Sequence, residues 1–444
     1  MTASGAIHAP DVDHRARATP GTMQEESETM SPTPPSPRCR SVVRAASLAA
    51  VLTQIAGTAA AGVVSWSNPA GGFWDVGTNW DTGVAPASPA DDVLLGLAVP
   101  YTATIRSSLD IRSLEIGNAD AVLAIENARF LDVGSDLDAS ALLVNDGVIL
   151  VNSQPGLSPS TLGVGTATVP GLLLTGAGQA GEVVLNISNG NGDLNDATLD
   201  LRSGGTHGAG HTVRGKGRVI GAFTNEGLIL ADRAGQELRV QATVDQTATG
   251  VFRASGDAVL GLADNASVSG GLLSTDTNGR IRVTNGTATL LGGATVEGDA
   301  GVENARVLEI GAGGVTNNAV ISVNSNQGLF NTFVSVVTDA TIAGAGSIDL
   351  NVSDANGDLN DATLTAAPGF TGTIGADQSV TGKGRVTGSW INNGAIHADR
   401  AGQELRVSAS VLQGPGAVLG ATDGAVLGLA DNALIEGGLA VTDT

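Results

Sequence analysis

The sequence predicts an all-β protein, a right-handed parallel β-helix (β-solenoid) built from two long homologous repeat units. The segment TNEGLILADRAGQELRV at 224–240 returns as INNGAIHADRAGQELRV at 391–407, and the four positions that differ are alternate residues. Because successive side chains of a strand point to opposite faces, this alternation indicates strands with one buried face. Short strand-like runs recur at intervals of about 7–12 residues, and after residue 61 we find no helical periodicity.

The composition narrows the possible partners. The chain has 444 residues, of which 42% are hydrophobic but only 3% aromatic, and it carries a formal net charge of -22. This is enough apolar material for a large core made of aliphatic side chains. Nucleic acid and anionic lipid are not expected partners, because binding them requires basic patches.

Residues 1–61 are interpreted as an N-terminal extension and a secretion signal. The stretch MSPTPPSPRCRSVVRAASLAAVLTQIAGTAAAG, 30–62, combines three arginines, a short apolar run and a small-residue cleavage site before Gly62. Cleavage after Ala61 would remove Cys39, the one cysteine of the chain, and with it any disulfide or thiol chemistry. The protein is therefore expected to be secreted or displayed on the outer cell surface, without membrane insertion by the residues present.

Residues 62–112 are predicted to form a tryptophan-rich cap and the first strands. Trp66, Trp74 and Trp80 lie within fifteen residues of one another. One interpretation is a hydrophobic cap that seals the first coil, since an open solenoid end exposes apolar side chains and unpaired strand edges. The other is a ligand-binding platform on which sugar rings stack. The position at the start of the repeats favours the cap.

Two repeat units are predicted, at 113–279 and 280–444. The longest shared segments besides the first are NGDLNDATL (191–199 and 356–364), GKGRV (215–219 and 382–386) and AVLGLADNA (258–266 and 425–433). Within each unit, Asn-x-small corners lead into short apolar strands. The spacing of these short strands fits either an antiparallel sandwich series or a parallel solenoid. Insertions and deletions that fall at the corners between strands favour the solenoid.

The final residues GGLAVTDT, 437–444, match GGLLSTDT at 270–277, where the first unit continues without a break. Unit 2 is therefore expected to be truncated and the chain to be a fragment of a longer surface protein. The alternative is a natural end that a partner chain seals.

Two stretches carry a family resemblance. Residues 215–240, GKGRVIGAFTNEGLILADRAGQELRV, resemble the sequence repeats of bacterial secreted and surface β-helix proteins, the autotransporter-passenger and haemagglutinin-like group. WSNPAGGFWDVGTNWDTGVAPASPADDVLL (66–95) is similar to the segment that follows the leader in many of them. The resemblance implies extracellular display and usually no catalysis, and it identifies no functional residue.

A calcium site is a weak candidate in DANGDLNDA. Asp354, Asn356, Asp358 and Asn360 occupy alternate positions, as in a calcium loop. However, Leu359 stands where the loop needs glycine, and the closing glutamate is missing. A polar corner in which Asn and Asp bond their own backbone is the simpler interpretation.

His207 and His211 have a spacing that would suit zinc on a helix, but they lie in a glycine-rich stretch, where a solvated loop is expected. The only two lysines, Lys216 and Lys383, are expected on solvent-facing turns, because GKGRV lacks the features of a phosphate loop. The expected partners are extracellular polysaccharide or other surface proteins.

Catalysis on a β-helix needs clustered acids, or a base opposite an acid, in a groove. The acids here are dispersed, no groove is expected, and we predict no enzyme, no catalytic residue and no cofactor. The sequence thus favours a structural or adhesive surface rod, with polysaccharide binding or degradation as the alternative.

Overall fold

The computed structural model describes residues 62–138, 140–154, 156–176, 180–186, 193–353, 357–430 and 433–442. The chain divides into Met1–Gly57 and Thr58–Thr444, and every described residue belongs to the second unit. That unit is a parallel β-helix, which confirms the predicted fold class and excludes the sandwich series. Its strands stack in three parallel columns, and the chain visits the first, second and third column in turn.

The strands that belong to a single column are short. In the first column they are Gly72–Phe73, Tyr101–Ile105, Ala121–Ile125, Val148–Val151, Glu182–Asn186, Leu228–Ala231, Val251–Ala254, Leu272–Thr275, Ala294–Glu297, Val315–Asn317, Ala340–Ala343, Thr371–Ile374 and Leu434–Glu436. In the second they are Leu109–Ile111, Phe130–Val133, Ser160–Val164, Val259–Ala263, Arg280–Asn285, Asp299–Val302, Val320–Val323, Ser347–Asn351, Ala395–Ala398, Val418–Ala421 and Leu439–Thr442. In the third they are Val64–Ser65, Asp92–Leu95, Ser113–Ile116, Ala141–Asn145, Gly171–Leu174, Ala266–Ser269, Thr287–Leu291, Val307–Ile310, Phe333–Val336, Thr363–Ala366 and Val426–Leu429.

Five long strands turn a corner and contribute to two or three columns. They are Ala197–His207, Thr212–Asn225, Glu237–Gln246, Ser379–Asn392 and Glu404–Gln413. The short 3-10 helices Gly77–Asn79, Leu194–Asp196 and Leu359–Asp361 are the helical segments of the described residues.

The core runs along the inside of the three columns. The side chains predicted to point inward are all fully buried, namely Ile229, Leu238, Val240, Ile396, Leu405 and Val407. In Glu237–Gln246 buried residues alternate with partly or fully exposed ones along the whole strand. The face assignment made from the alternating drift is therefore confirmed.

Corners explain both the Asn-x-Gly motif and the uneven repeat length. The buried Asn392 accepts a hydrogen bond from the Gly394 amide at 3.1 Å, and a Cβ on Gly394 would meet the Gln378 carbonyl oxygen at 2.1 Å. Loops inserted at corners change the coil length: Val251 pairs with Leu272, 21 residues later, whereas Ser160 pairs with Ala197, 37 residues later.

The two repeat units are out of phase with the three columns. Leu228–Ala231 lies in the first column, but its repeat Ala395–Ala398 lies in the second. Seven coils separate Leu228–Ala231 from Asn392 along the first column. The chain then passes from Asn392 into the second column, where Ala395–Ala398 is the next strand. Equivalent surfaces of the two units therefore face different sides of the rod, roughly a third of a turn apart.

Candidate functional site

A polar groove lies on the outer face of the second column in the first repeat unit. Its volume is about 560 Å³. Its lining consists of Asp193, Leu194, Asn195, Lys216, Arg218, Gly235, Gln236, Glu237, Arg239, Gln241 and Asp264. The expectation that the rod carries no groove is wrong, because residues spread over about seventy positions meet where successive coils stack.

The register of the coils places the groove's charged side chains side by side. Arg218 pairs with Arg239 on the next coil, and Thr198 pairs with Arg218 from the coil before. Strand spacing in a sheet is about 4.8 Å, so the two arginines extend from neighbouring strands on the same face. One wall is the 3-10 helix Leu194–Asp196, which Asp193 caps by accepting the Asn195 amide at 2.9 Å.

A carboxylate holds one of the two arginines in place and an amide holds the other. Arg239 makes two hydrogen bonds to Glu237, of 2.8 and 3.0 Å. Arg218 donates to Gln241 at 3.4 Å, while its buried Nε has no partner among the described residues. Gln241 in turn hydrogen-bonds to Asp264. The groove thus presents an arginine that is only partly satisfied beside one that is fully paired.

Lys216 is 4% exposed, so the prediction of a solvent-facing turn is wrong for it, and Lys383 is similarly buried. A Cβ on Gly215 would meet the Leu185 carbonyl oxygen at 2.2 Å, so only glycine lets the chain pass this close to the neighbouring coil. Burial lowers the pKa of the Lys216 ammonium; Asp196 opposes that shift and Arg233 adds to it. Among the described residues no hydrogen-bond or ion-pair partner of Lys216 is found.

The chain contains the same six residue types a second time, with partly different contacts. We call Asp193, Asn195, Lys216, Arg218, Glu237 and Arg239 site 1, and their repeats Asp358, Asn360, Lys383, Arg385, Glu404 and Arg406 site 2. In site 2, Asp358 caps Leu359–Asp361, Arg406 is paired with Glu404 at 2.8 Å, and Arg385 is in register with Arg406. Site 2 lies on the third column rather than the second, because of the phase shift between the units.

Both sites come from the segments that the sequence repeats. Apart from Gln241, every lining residue of the groove lies in a segment written twice. Packing explains why inward Leu, Val and Ile recur, but it does not require outward Lys, Arg and Glu to recur with them. Retained outward charges were therefore the signal from which sequence reasoning could have found the sites.

The tryptophans of the predicted cap are buried against one another. Trp66 and Trp80 meet edge to face with ring centroids 5.0 Å apart, and Trp66 stacks on Tyr101 at 6.1 Å. The indole N–H groups of Trp66, Trp74 and Trp80 all donate to backbone carbonyls. Because each ring is at most 3% exposed, none of the three offers a face on which a sugar could stack.

The calcium candidate falls partly outside the described residues, which do not include Asp354 and Asn356. Asp358 accepts from the Asn360 backbone amide at 3.0 Å, and the Asn360 side chain accepts from Arg385 at 3.0 Å. In the part of the chain that the structure describes, no group of three or more His, Cys, Asp or Glu side chains is arranged to hold a metal. Calcium binding at the four residues stays a prediction.

The two histidines are buried in the core, so the expectation of a solvated loop is wrong. They belong to a chain of hydrogen-bonded side chains that we call the polar stack: Asn145, His211, His207, Asn225 and Gln246. Burial lowers the pKa of His207 to about 4 and that of His211 well below its usual range. Their neighbours are amides, which favours a packing role over metal binding.

Hydrogen-bond direction along the polar stack requires both imidazoles to be neutral. Asn225 donates to Gln246 through its amide nitrogen, so its oxygen accepts from His207 Nδ1 at 2.7 Å. His207 Nε2 must then accept from His211 Nδ1 at 3.0 Å, which leaves His211 Nε2 to accept from Asn145. A further proton on either ring would set two donors against each other.

Comparison with protein-family models, with curated proteins and with solved structures finds no match for this chain. The helical segments of the described residues are too short to cross a lipid bilayer.

Proposed function

We propose that this protein is a secreted or cell-surface β-solenoid that acts as a structural or adhesive rod and catalyses no reaction. The observation that supports this proposal best is the presence of two clusters of the same six polar and charged residue types, about seven coils apart, on different sides of one rod. An enzyme needs one complete catalytic site, whereas adhesion gains from repeated attachment points, because linked weak contacts add up to strong binding.

The leader-like segment before Gly62 and the resemblance to bacterial surface β-helix proteins support the proposed surface location. Protease treatment of intact cells that express the chain tests it. We expect digestion of the protein without lysis and an N-terminus at Gly62. An intact chain recovered from the cytoplasm would contradict the surface role.

Polysaccharide binding or degradation is the second candidate, and the polar groove favours it. Arginine, amide and carboxylate side chains supply the donors and acceptors that sugar hydroxyl groups need. A glycan array combined with a reducing-sugar assay separates the two possibilities. Turnover of a polysaccharide would overturn the non-catalytic proposal, and binding without turnover would join adhesion with glycan recognition.

A further inference from the structure

A second groove lies beside the tryptophan cap, on the outer face of the first column. Its volume is about 540 Å³, which is within the range of pockets that hold small molecules. The phenyl ring of Phe73 lines it and is 42% exposed, whereas the indole of Trp74, the next residue, is buried in the cap. The groove therefore presents an aromatic side chain to solvent.

The neighbours of Phe73 hold its ring in place. The Arg106 guanidinium lies 4.0 Å from the ring centroid and makes two hydrogen bonds to Asp75, of 2.9 and 3.1 Å. A Cβ on Gly71 would meet the Thr102 carbonyl oxygen at 2.6 Å, so glycine lets this segment lie close against the neighbouring strand. Arg106 covers one face of the ring without lining the groove, so the groove exposes the remaining surface of the ring.

Polar groups that are free to bind a ligand surround the ring. Thr102, Thr104 and Asp120 line the same groove, and their side chains make no hydrogen bond to other residues that the structure describes. The hydroxyl groups can donate and accept, and the carboxylate accepts. The cation over the ring, Arg106, is already paired with Asp75. The groove therefore suits an uncharged ligand that combines an apolar face with hydroxyl groups.

The outer face of the first column stays apolar beyond the groove. Five aliphatic side chains on three successive strands point outward and are paired in register, namely Val122, Ala124, Val148, Leu150 and Val184. From Phe73 to Val184 the face extends over four strand spacings, about 20 Å. The second unit has Ser322 in place of Leu150 and Asp349 in place of Val184. A coil of this kind therefore folds without the apolar surface.

From this geometry we propose that the face binds a neutral β-1,4-linked glucan, with one glucose ring packed on Phe73 and the polymer lying along the first column. In β-glucose every hydroxyl group is equatorial, so the two faces of the ring carry only C–H groups and match apolar side chains, while the rim carries the hydroxyl groups. The β-1,4 linkage keeps successive rings in a flat ribbon, which fits the outer face of a sheet. The inference rests on the proposed adhesive function and names a ligand class for it.

Calorimetric titration of the full-length protein with cellohexaose tests the groove. We expect one binding site per chain, weakened about tenfold or more in Phe73→Ala and kept in Phe73→Trp, because the aromatic surface is the main contact. Thr102→Val keeps the shape of the side chain and removes its hydroxyl, which should weaken binding about threefold. Phe370→Ala is the matched control: it removes a ring of similar exposure, 40%, outside the groove and should bind like wild type.

The length and the linkage of the sugar test the rest of the face. Leu150→Ser introduces the residue that the second unit has at this position. It should weaken the binding of cellohexaose but not that of cellobiose, because the shorter sugar occupies only the groove. Maltohexaose should bind more weakly than cellohexaose, since its α-linkages curve the chain away from a flat surface.

Three results would overturn the inference: no binding of cellohexaose by the wild type, unchanged affinity in Phe73→Ala, or equal affinity for maltohexaose. Unchanged binding of cellohexaose by Leu150→Ser would exclude the path along the column. None of these results would affect the proposed surface rod, which protease treatment of cells tests independently. If Phe73→Ala did not fold by circular dichroism, Phe73→Leu, which keeps apolar volume without an aromatic face, takes its place and should show the same loss.

Discussion

The polar stack of the first repeat unit and its counterpart in the second differ in their middle members. His207 and His211 are replaced by Ile374 and Gln378, so the second unit keeps two separate hydrogen-bonded pairs instead of one chain of five side chains. These pairs are Asn317 with Gln378 at 3.4 Å and Asn392 with Gln413 at 2.6 Å. The oxygen that His207 occupies in the first unit accepts the Gly394 amide in the second.

This difference shows which parts of the repeat tolerate change. The buried polar network tolerates the replacement of both histidines, because the amide side chains that remain in the second unit hydrogen-bond to other groups. In contrast, the charged residues that point outward in sites 1 and 2 are identical in the two units. Apolar packing of the core does not require these outward-pointing charges, so their retention is compatible with a role in binding.

The largest effect is expected where the two units agree, in the core. Leu238→Asp should cost about 4 kcal/mol or more in free energy of unfolding, because it places a charge without a partner in an apolar interior. Leu405→Asp should cost a similar amount in the second unit. Thr243→Asp, on the outward face of the same strand, is the control and should cost less than about 0.5 kcal/mol. Urea unfolding followed by circular dichroism measures all three, and equal losses would refute the face assignment.

Acid should destabilise the first unit more than the second. The pKa of His207 falls from the usual 6.5 to about 4 in the folded protein, so the unfolded chain binds more protons between these values. The stability contributed by neutral His207 is present above about pH 6.5 and is lost as the pH falls to about 4, by about 3 kcal/mol. Hydrogen exchange at these pH values, compared between Thr212–Asn225 and Ser379–Asn392, measures it. Equal acid sensitivity of the two strands would contradict the prediction.

Exchanging His207 and His211 for the residues at the same positions of the second unit should transfer the acid sensitivity from one unit to the other. The double variant His207→Ile, His211→Gln should lose the acid-sensitive step and remain within about 1 kcal/mol of wild type at neutral pH, because the second unit already folds with these residues. The reverse exchange, Ile374→His with Gln378→His, should introduce the step. If the first variant kept the step, ionisable groups outside the polar stack would be responsible for it.

The smallest effect is expected at the outward positions that drift. Leu230→His should change the free energy of unfolding by less than about 0.5 kcal/mol, since the second unit carries His397 at the same half-buried position. Ile229→His, one residue away and fully buried, should be clearly destabilising. Thermal melts of the two variants provide the comparison, and a loss from Leu230→His as large as that from Ile229→His would mean that both faces are buried.

The strands and their inward faces could be predicted from the sequence, because the alternation of unchanged and changed residues between the two repeats is visible within a single strand. Ile229, Leu238 and Val240 were assigned correctly from this pattern alone. The burial of His207 and His211 could not be predicted in this way, because a glycine-rich sequence suggests a loop. The polar stack that includes the two rings extends to residues far away in the sequence, Asn145 and Gln246.

Site 1 was missed for a related reason. Its residues come from three segments, and the register that unites them depends on the lengths of the corner loops, which no local pattern specifies. Gly217 and Leu238 become neighbours only because they lie one coil apart. The sequence did contain Lys216, Arg239 and their repeats, but without the stacking nothing placed them on the same face.

The stacking of coils also determines how the rod responds to mechanical load. Each strand pairs only with the coils directly before and after it, so tension between the two ends detaches one coil at a time. A coil such as that from Val251 to Leu272 adds about 5 Å to the folded rod but releases about 70 Å of extended chain. The longer coil from Ser160 to Ala197 releases about 120 Å. Under pulling force the protein therefore lengthens by steps of unequal size, and each released coil dissipates work while the remaining coils stay folded.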